Sequence, residues 1–150
     1  MLLFVEYPKC STCQKAKKWL IQQGLEFQDR HIVEENPKKE ELETWYKESG
    51  LPLKRFFNTS GNKYKELHLK DRLPSMTEKE QLELLSTDGM LVKRPVLVGE
   101  NFALFRALSR FGDQRGNRRT EYPAKVIYFQ TSKILFTHFV HNYPPICCPN

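Results

Sequence analysis

Two cysteines three residues apart, at the point where an apolar strand gives way to a helix, constrain this chain more than any other feature. Met1-Leu2-Leu3-Phe4-Val5-Glu6-Tyr7 is a short apolar and aromatic run of strand length. Pro8-Lys9-Cys10-Ser11-Thr12-Cys13 follows at once, and Ala16, Trp19 and Leu20 then mark one face of an amphipathic helix that Gly24 closes. A Cys-x-x-Cys that opens a helix after a strand is a redox motif for a physical reason. Cys10 lies just before the first turn, where unpaired backbone N–H groups and the positive end of the helix dipole favour a thiolate. Lys9 and Lys15 add positive charge nearby. Cys13, one turn into the helix, is within reach of a mixed disulfide formed on Cys10.

The rest of the chain supplies a frame for that pair. Leu25 to Val33 alternates apolar with polar residues and predicts a second strand, so strand, helix and strand make a right-handed parallel unit. A helix is expected from Pro37 through Leu42, Trp45 and Tyr46 to Gly50, with Glu34 and Glu35 near its positive end. Lys54 to Phe57 predicts a short helical turn that buries two aromatic rings, Asn58 to Asn62 a turn, and Tyr64 to Leu69 a short helix. Ser75 or Thr77 can cap a further helix through Leu82, Leu84 and Leu85. Leu91 to Gly99 is an apolar stretch whose strand begins after Pro95, and Phe102 to Phe105 returns as its hairpin partner. The pattern is α/β, with a helical insertion between the second and third strands.

Charge argues against a nucleic-acid grip. The net charge is +6, yet residues 1–100 hold 17 Lys and Arg against 16 Asp and Glu. The excess sits in residues 101–150, with 7 against 2, so the body is nearly neutral and both signs are interspersed. No apolar run reaches the length of a membrane span, and Met1 to Val5 lacks the basic flank and length of a signal peptide. A cytoplasmic location is expected, where a thiol pair stays reduced and is more often catalytic or metal-binding than structural.

Beyond Phe105 the character changes. Gly112 to Arg119 is polar and basic, Tyr122 to Tyr143 is apolar without a period of 2 or 3.6, and Glu becomes scarce. We expect two parts: a domain over 1–104, and an atypical tail over 105–150 whose terminus is replaced, frameshifted or poorly ordered. Cys147, Cys148, His138 and His141 lie in that tail and are what a zinc site would need to add to Cys10 and Cys13. Other competing readings are plainer: a pair of small core cysteines, a solvated Arg94, and His31 and His68 as ordinary surface or satisfied residues.

The thiol motif, Tyr64-Lys65-Glu66-Leu67 after a turn, and Lys93-Arg94-Pro95-Val96-Leu97-Val98-Gly99 together resemble the arsenate-reductase-like family of the thioredoxin fold, over about residues 1–104. The resemblance implies a thioredoxin-like mixed sheet with no cofactor. It implies Cys10 as the reactive cysteine, Arg94 as an oxyanion-binding arginine, and Pro95 as the proline, usually cis, that faces the thiol. Arsenate reductases of this type usually lack the second cysteine and carry an arginine where Gln14 stands; a second arginine falls where this chain reads Asn58-Thr59-Ser60, with Arg55 close but out of register, and a third is matched only approximately by Arg106. Those departures lead away from arsenate, whose charge calls for several cationic donors. Two activities follow as expectations. One is a thiol–disulfide oxidoreductase with Cys10 as nucleophile and Cys13 resolving, acting on a small thiol, disulfide or oxyanion and reduced by glutathione or thioredoxin. The alternative is an Spx-type redox switch that binds the RNA polymerase α subunit, with Gly50 near the family's contact glycine.

Overall fold

The computed structural model of the chain describes residues 1–105. Four strands form one sheet in the order β2-β1-β3-β4: β1 (Leu2–Glu6), β2 (Phe27–His31), β3 (Val96–Val98) and β4 (Ala103–Phe105). β1 and β2 run parallel with Leu2 opposite Phe27 and Glu6 opposite His31. β3 is antiparallel to β1, pairing Val5 with Val96, and to β4, pairing Val96 with Phe105. This is the expected mixed α/β sheet, and the helical insertion lies between β2 and β3.

Strand alternation assigns the two faces. Leu2, Phe4 and Glu6 share one side of β1, and α1 (Ser11–Gln22) covers it with Cys13, Ala16 and Leu20 buried. Val5 and Val96 face the other way. They meet a larger core of Leu42 and Trp45 from α2 (Lys39–Ser49), Leu53, Phe56 and Phe57 after it, and Leu82 and Leu85 from a later helix, α5 (Glu78–Thr87). The Phe105 ring lies 3.9 Å from that of Phe56. Between Phe57 and α5 the chain forms α3 (Asn62–Glu66) and α4 (Leu69–Arg72).

Local chemistry sets the helix ends. α1 closes with Gly24 at φ +66, where its N–H donates to Ile21 and that of Leu25 to Leu20, the paired bonds of a Schellman stop. Thr77 caps α5: its backbone N–H donates to Glu80 Oε2 at 2.7 Å while its Oγ1 accepts from Glu80 N at 3.3 Å. Arg30 of β2 grips Glu41 of α2 with two parallel bonds of 2.6 and 3.1 Å. The Arg30 hydrogen bond holds the Glu41 carboxyl below the usual carboxylate range.

Several expected boundaries move. α2 starts at Lys39, two residues beyond Pro37, because Glu41 reaches back to the Lys38 N–H at 2.9 Å; the first-turn acids are Glu40 and Glu41 in place of Glu34 and Glu35. The expected helix from Tyr64 to Leu69 is two short helices broken at His68, which adopts φ +49. β2 covers five of the nine residues expected. The strand expected after Pro95 does begin there, as Val96–Val98, while upstream Gly89–Leu91 turns as a 3-10 helix and Val92 bridges Phe57. Of the two candidate caps for α5, Thr77 is the one used. The expected tail over 105–150 lies, from residue 106 onward, outside the described residues.

Gly89 holds this junction closed, since a Cβ there would stand 1.9 Å from the Ile32 carbonyl oxygen. Gly89→Ala therefore forces backbone apart, and urea unfolding is expected to register a loss of about 1–3 kcal/mol.

Candidate thiol site

The C-terminal end of β1 gathers the site. After Glu6 the chain turns through Pro8 and Lys9, and the Cys10 N–H donates to the Tyr7 carbonyl at 2.9 Å, placing Cys10 at the N-cap of α1. Ser, Thr, Asp or Asn would normally offer an oxygen at that position to the N–H groups of the first turn. Here a sulfur occupies it, and no first-turn acid competes for those donors. Cys10 is half-buried, whereas Cys13, facing the sheet from the first turn, has no exposed surface.

The two thiols consequently differ in character. Partial burial pushes the Cys10 thiol up, but hydrogen bonds to its thiolate from the Cys13 N–H, the Cys13 S–H and the Thr12 N–H, with the charge of Arg94, bring it below its ordinary value. The Cys13 thiol is pushed up to about 12, mainly by burial; the Tyr7 N–H works against this, while the Cys10 sulfur and the charge of Glu6 add to it. A partly exposed thiolate former thus sits beside a buried thiol that keeps its proton. Both cysteines are free in this structure.

Arg94 reaches the pair through sheet register. Because β3 runs antiparallel to β1 with Val96 opposite Val5, the residues just before β3 fall beside the end of β1. The Arg94–Pro95 peptide is cis, as the resemblance implies. The Arg94 guanidinium lies 5.2 Å from the centre of the Tyr7 ring, and Nη1 donates to the Met90 carbonyl at 3.4 Å. Its Nε is buried without a hydrogen-bond partner. Of the residues chosen from sequence, Cys10, Cys13 and Arg94 lie close enough to act on one another, and Pro95 follows Arg94 just before β3. The cation that acts on Cys10 among its main influences is Arg94, where the sequence had pointed to Lys9 and Lys15. His31 is a structural acceptor: Nδ1 takes the N–H groups of Val33 and Glu34 at 3.3 and 3.1 Å, and its ring meets Tyr7 edge-on at 5.7 Å.

Two residues beneath the pair, Glu6 and Lys17, escaped the sequence reading, which met Gln14 only as a departure from the family's arginine. Glu6 is the buried charged residue among those described, at 2% exposure. Gln14 Nε2 donates to Glu6 Oε2 at 3.1 Å and to the Pro8 carbonyl at 3.0 Å, and Lys17 Nζ meets Glu6 Oε1 at 3.1 Å. The signal was present in β1, where alternation puts Glu6 on the face of Leu2 and Phe4. Among the described residues no group of three or more His, Cys, Asp or Glu could hold a metal. The tail residues that a zinc site would require lie outside that range. No described helix is long and apolar enough to cross a membrane.

Alkylation of Cys10 by iodoacetamide, followed at peptide level against pH, is expected to have its midpoint below about 8.5, the value of a free cysteine. Arg94→Ala removes a cation that favours the thiolate, so the midpoint moves up and the rate at pH 7 falls by roughly two- to tenfold. An unmoved midpoint would remove Arg94 from the site's electrostatics.

Comparison with known proteins agrees with this geometry. YusI of Bacillus subtilis, an uncharacterized protein, is 61% identical over 95 residues, covering 63% of this chain and 80% of YusI. The regulatory protein MgsR of the same organism is 36% identical over 97 residues, covering 65% and 75%. The crystal structure of an ArsC family related protein from Bacteroides fragilis superposes with a TM-score of 0.68 at 60% identity, covering 69% of this chain and 87% of that one. The ArsC family model itself matches residues 5–104, the stretch that carries both cysteines, Arg94 and Pro95. With the mixed sheet, the thiols at the start of α1 and the cis Arg94–Pro95 peptide beside them, the chain belongs to the ArsC family.

Proposed function

We propose that the protein is a thiol–disulfide oxidoreductase in which Cys10 is the nucleophile and Cys13 resolves. The observation that carries this reading is the asymmetry of the pair: Cys10 half-exposed and held toward thiolate, Cys13 fully buried and held as a thiol. The Cys10 thiolate attacks a disulfide R–S–S–R′, forms Cys10–S–S–R and expels R′ as a thiolate. Cys13 then attacks the Cys10 sulfur, closes the Cys10–Cys13 disulfide and releases R as a thiol. The substrate gains two electrons and the protein loses two, which glutathione or a thioredoxin returns. Arg94 stabilises the Cys10 thiolate and orients an anionic group of the substrate, and Pro95 fixes the backbone that faces the sulfur.

A second reading has one specific support, the similarity to the regulatory protein MgsR. In it the same disulfide is a sensor and the partner is RNA polymerase through its α subunit. Capture of purified α subunit by the reduced or oxidised protein favours the regulator, and capture in neither state removes it.

Intact mass under diamide is expected to fall by two hydrogens through a Cys10–Cys13 bond, located by peptide mapping. With oxidised glutathione, Cys13→Ser should accumulate a Cys10 adduct that the natural pair clears. Cys10→Ser should abolish turnover in a glutathione- or thioredoxin-coupled assay, and retained turnover would end the proposed mechanism.

A further inference from the structure

Glu6 stands out because a carboxylate at 2% exposure is costly and is normally matched by an equal positive charge. Here the match is incomplete. Lys17 Nζ contacts Glu6 and also pairs closely with Asp29 of β2, so one cation serves two carboxylates and the trio keeps a net charge of −1. The remaining hydrogen bond to Glu6 comes from Gln14, which is neutral. Cys13 and Lys17 are four residues apart and share the sheet-facing side of α1, one turn above the other. The Glu6 carboxylate, gripped by Gln14 and Lys17, therefore lies against the stretch of helix that carries the resolving thiol.

We propose that Glu6 is a positioning residue for the resolving step: the uncompensated charge of the Glu6–Lys17–Asp29 trio, held beneath the stretch of α1 that carries Cys13, lengthens the life of a mixed disulfide on Cys10. This rests on the thiol–disulfide reading of the pair and adds to it the control of its second step. A negative charge in a water-poor site opposes a second one nearby, so the Cys13 thiolate forms rarely. The charge of Glu6 is among the influences that hold the Cys13 proton, as described above. Of the other charged groups around the pair, Arg94 acts on Cys10, Lys17 and Asp29 reach Cys13 through Glu6, and His31 lies across the Tyr7 ring. On closure the Cys13 proton leaves with the departing group: Cys13–SH and Cys10–S–S–R become the Cys10–Cys13 disulfide and R–SH, with no other electron acceptor. Substrate capture at Cys10 is fast and closure by Cys13 is slow.

The full chain carrying Cys147→Ser and Cys148→Ser, so that Cys10 and Cys13 are its two thiols, is treated with one equivalent of Ellman's reagent as the test. Attack by Cys10 releases a first thionitrobenzoate, and attack by Cys13 on the adduct releases a second, both followed by absorbance. Glu6→Gln is expected to speed the second phase at pH 7. The gain in Cys13 thiolate is partly offset by its lower nucleophilicity, so a net acceleration of up to about threefold is expected. Asp29→Asn, at an exposed position that leaves the fold alone, returns Lys17 to Glu6 and should speed the same phase by a smaller factor. Both variants should leave the first phase unchanged. A second phase that is unchanged or slower in both variants overturns the proposal, and a slower one would make Glu6 the proton acceptor. Cys13→Ser separates the two readings: if it still releases the second equivalent, the resolving role of Cys13 fails, whatever Glu6 does.

Discussion

The pairing of β1 between a parallel and an antiparallel neighbour is the constraint on which the site depends. β1 is the inner strand that brings the two halves of the thiol chemistry to one edge. Its C-terminal end delivers Tyr7 and Cys10 directly, and the antiparallel register of β3 returns Arg94 to the same place across the 83 positions of sequence between Cys10 and Arg94. A shift of one residue in either pairing would turn Glu6 away from α1 and Val5 toward it, exchanging a buried carboxylate for an apolar side chain at the floor of the site. The register is held by the faces themselves. Phe4 and Leu97 fit the α1 side, and Val5, Val96 and Phe105 fit the larger core.

Within that frame the two cysteines illustrate how environment divides labour between identical groups. Two residues of helix separate a half-exposed sulfur beside the first-turn N–H groups from one that faces the sheet interior, and this difference is the main source of their opposite tendencies. Cys10 takes the place of the usual capping oxygen, so the electrostatic benefit of a helix N-terminus goes to a reactive atom. The neighbourhood of Glu6 adds a second layer. Gln14 is neutral, so its hydrogen bond to Glu6 leaves the net negative charge of the Glu6–Lys17–Asp29 trio in place beneath the pair.

Much of this was legible in the sequence. The strand, the Cys-x-x-Cys and the helix announce themselves because period-2 and period-3.6 patterns meet at Cys10, and Arg94-Pro95 before an apolar triplet marks the strand that faces them. Gly24 and Gly50 signalled helix ends truly, both at positive φ. Legibility ended where tertiary contacts override local preference. Nothing local predicts that His68 takes a left-handed conformation and splits a helix, or that Val92 spends its backbone pairing on Phe57. Glu6 was passed over for a different reason: a single acid at the end of an apolar strand reads as the start of a turn, and its partners Gln14 and Lys17 become visible only when α1 folds over it.

One connection gives the insertion a wider meaning. The Lys93 N–H donates to the Phe56 carbonyl, the Asn58 N–H donates to the Leu91 carbonyl, and Phe57 bridges Val92 between them. The helices between β2 and β3 are thus stitched to the few residues that end in Arg94 and Pro95. Sequence drift on the outer surface of that insertion is mechanically wired to the arginine above Cys10. A substitution that shifts the insertion thus shifts the backbone that leads into Arg94, without touching a sulfur atom.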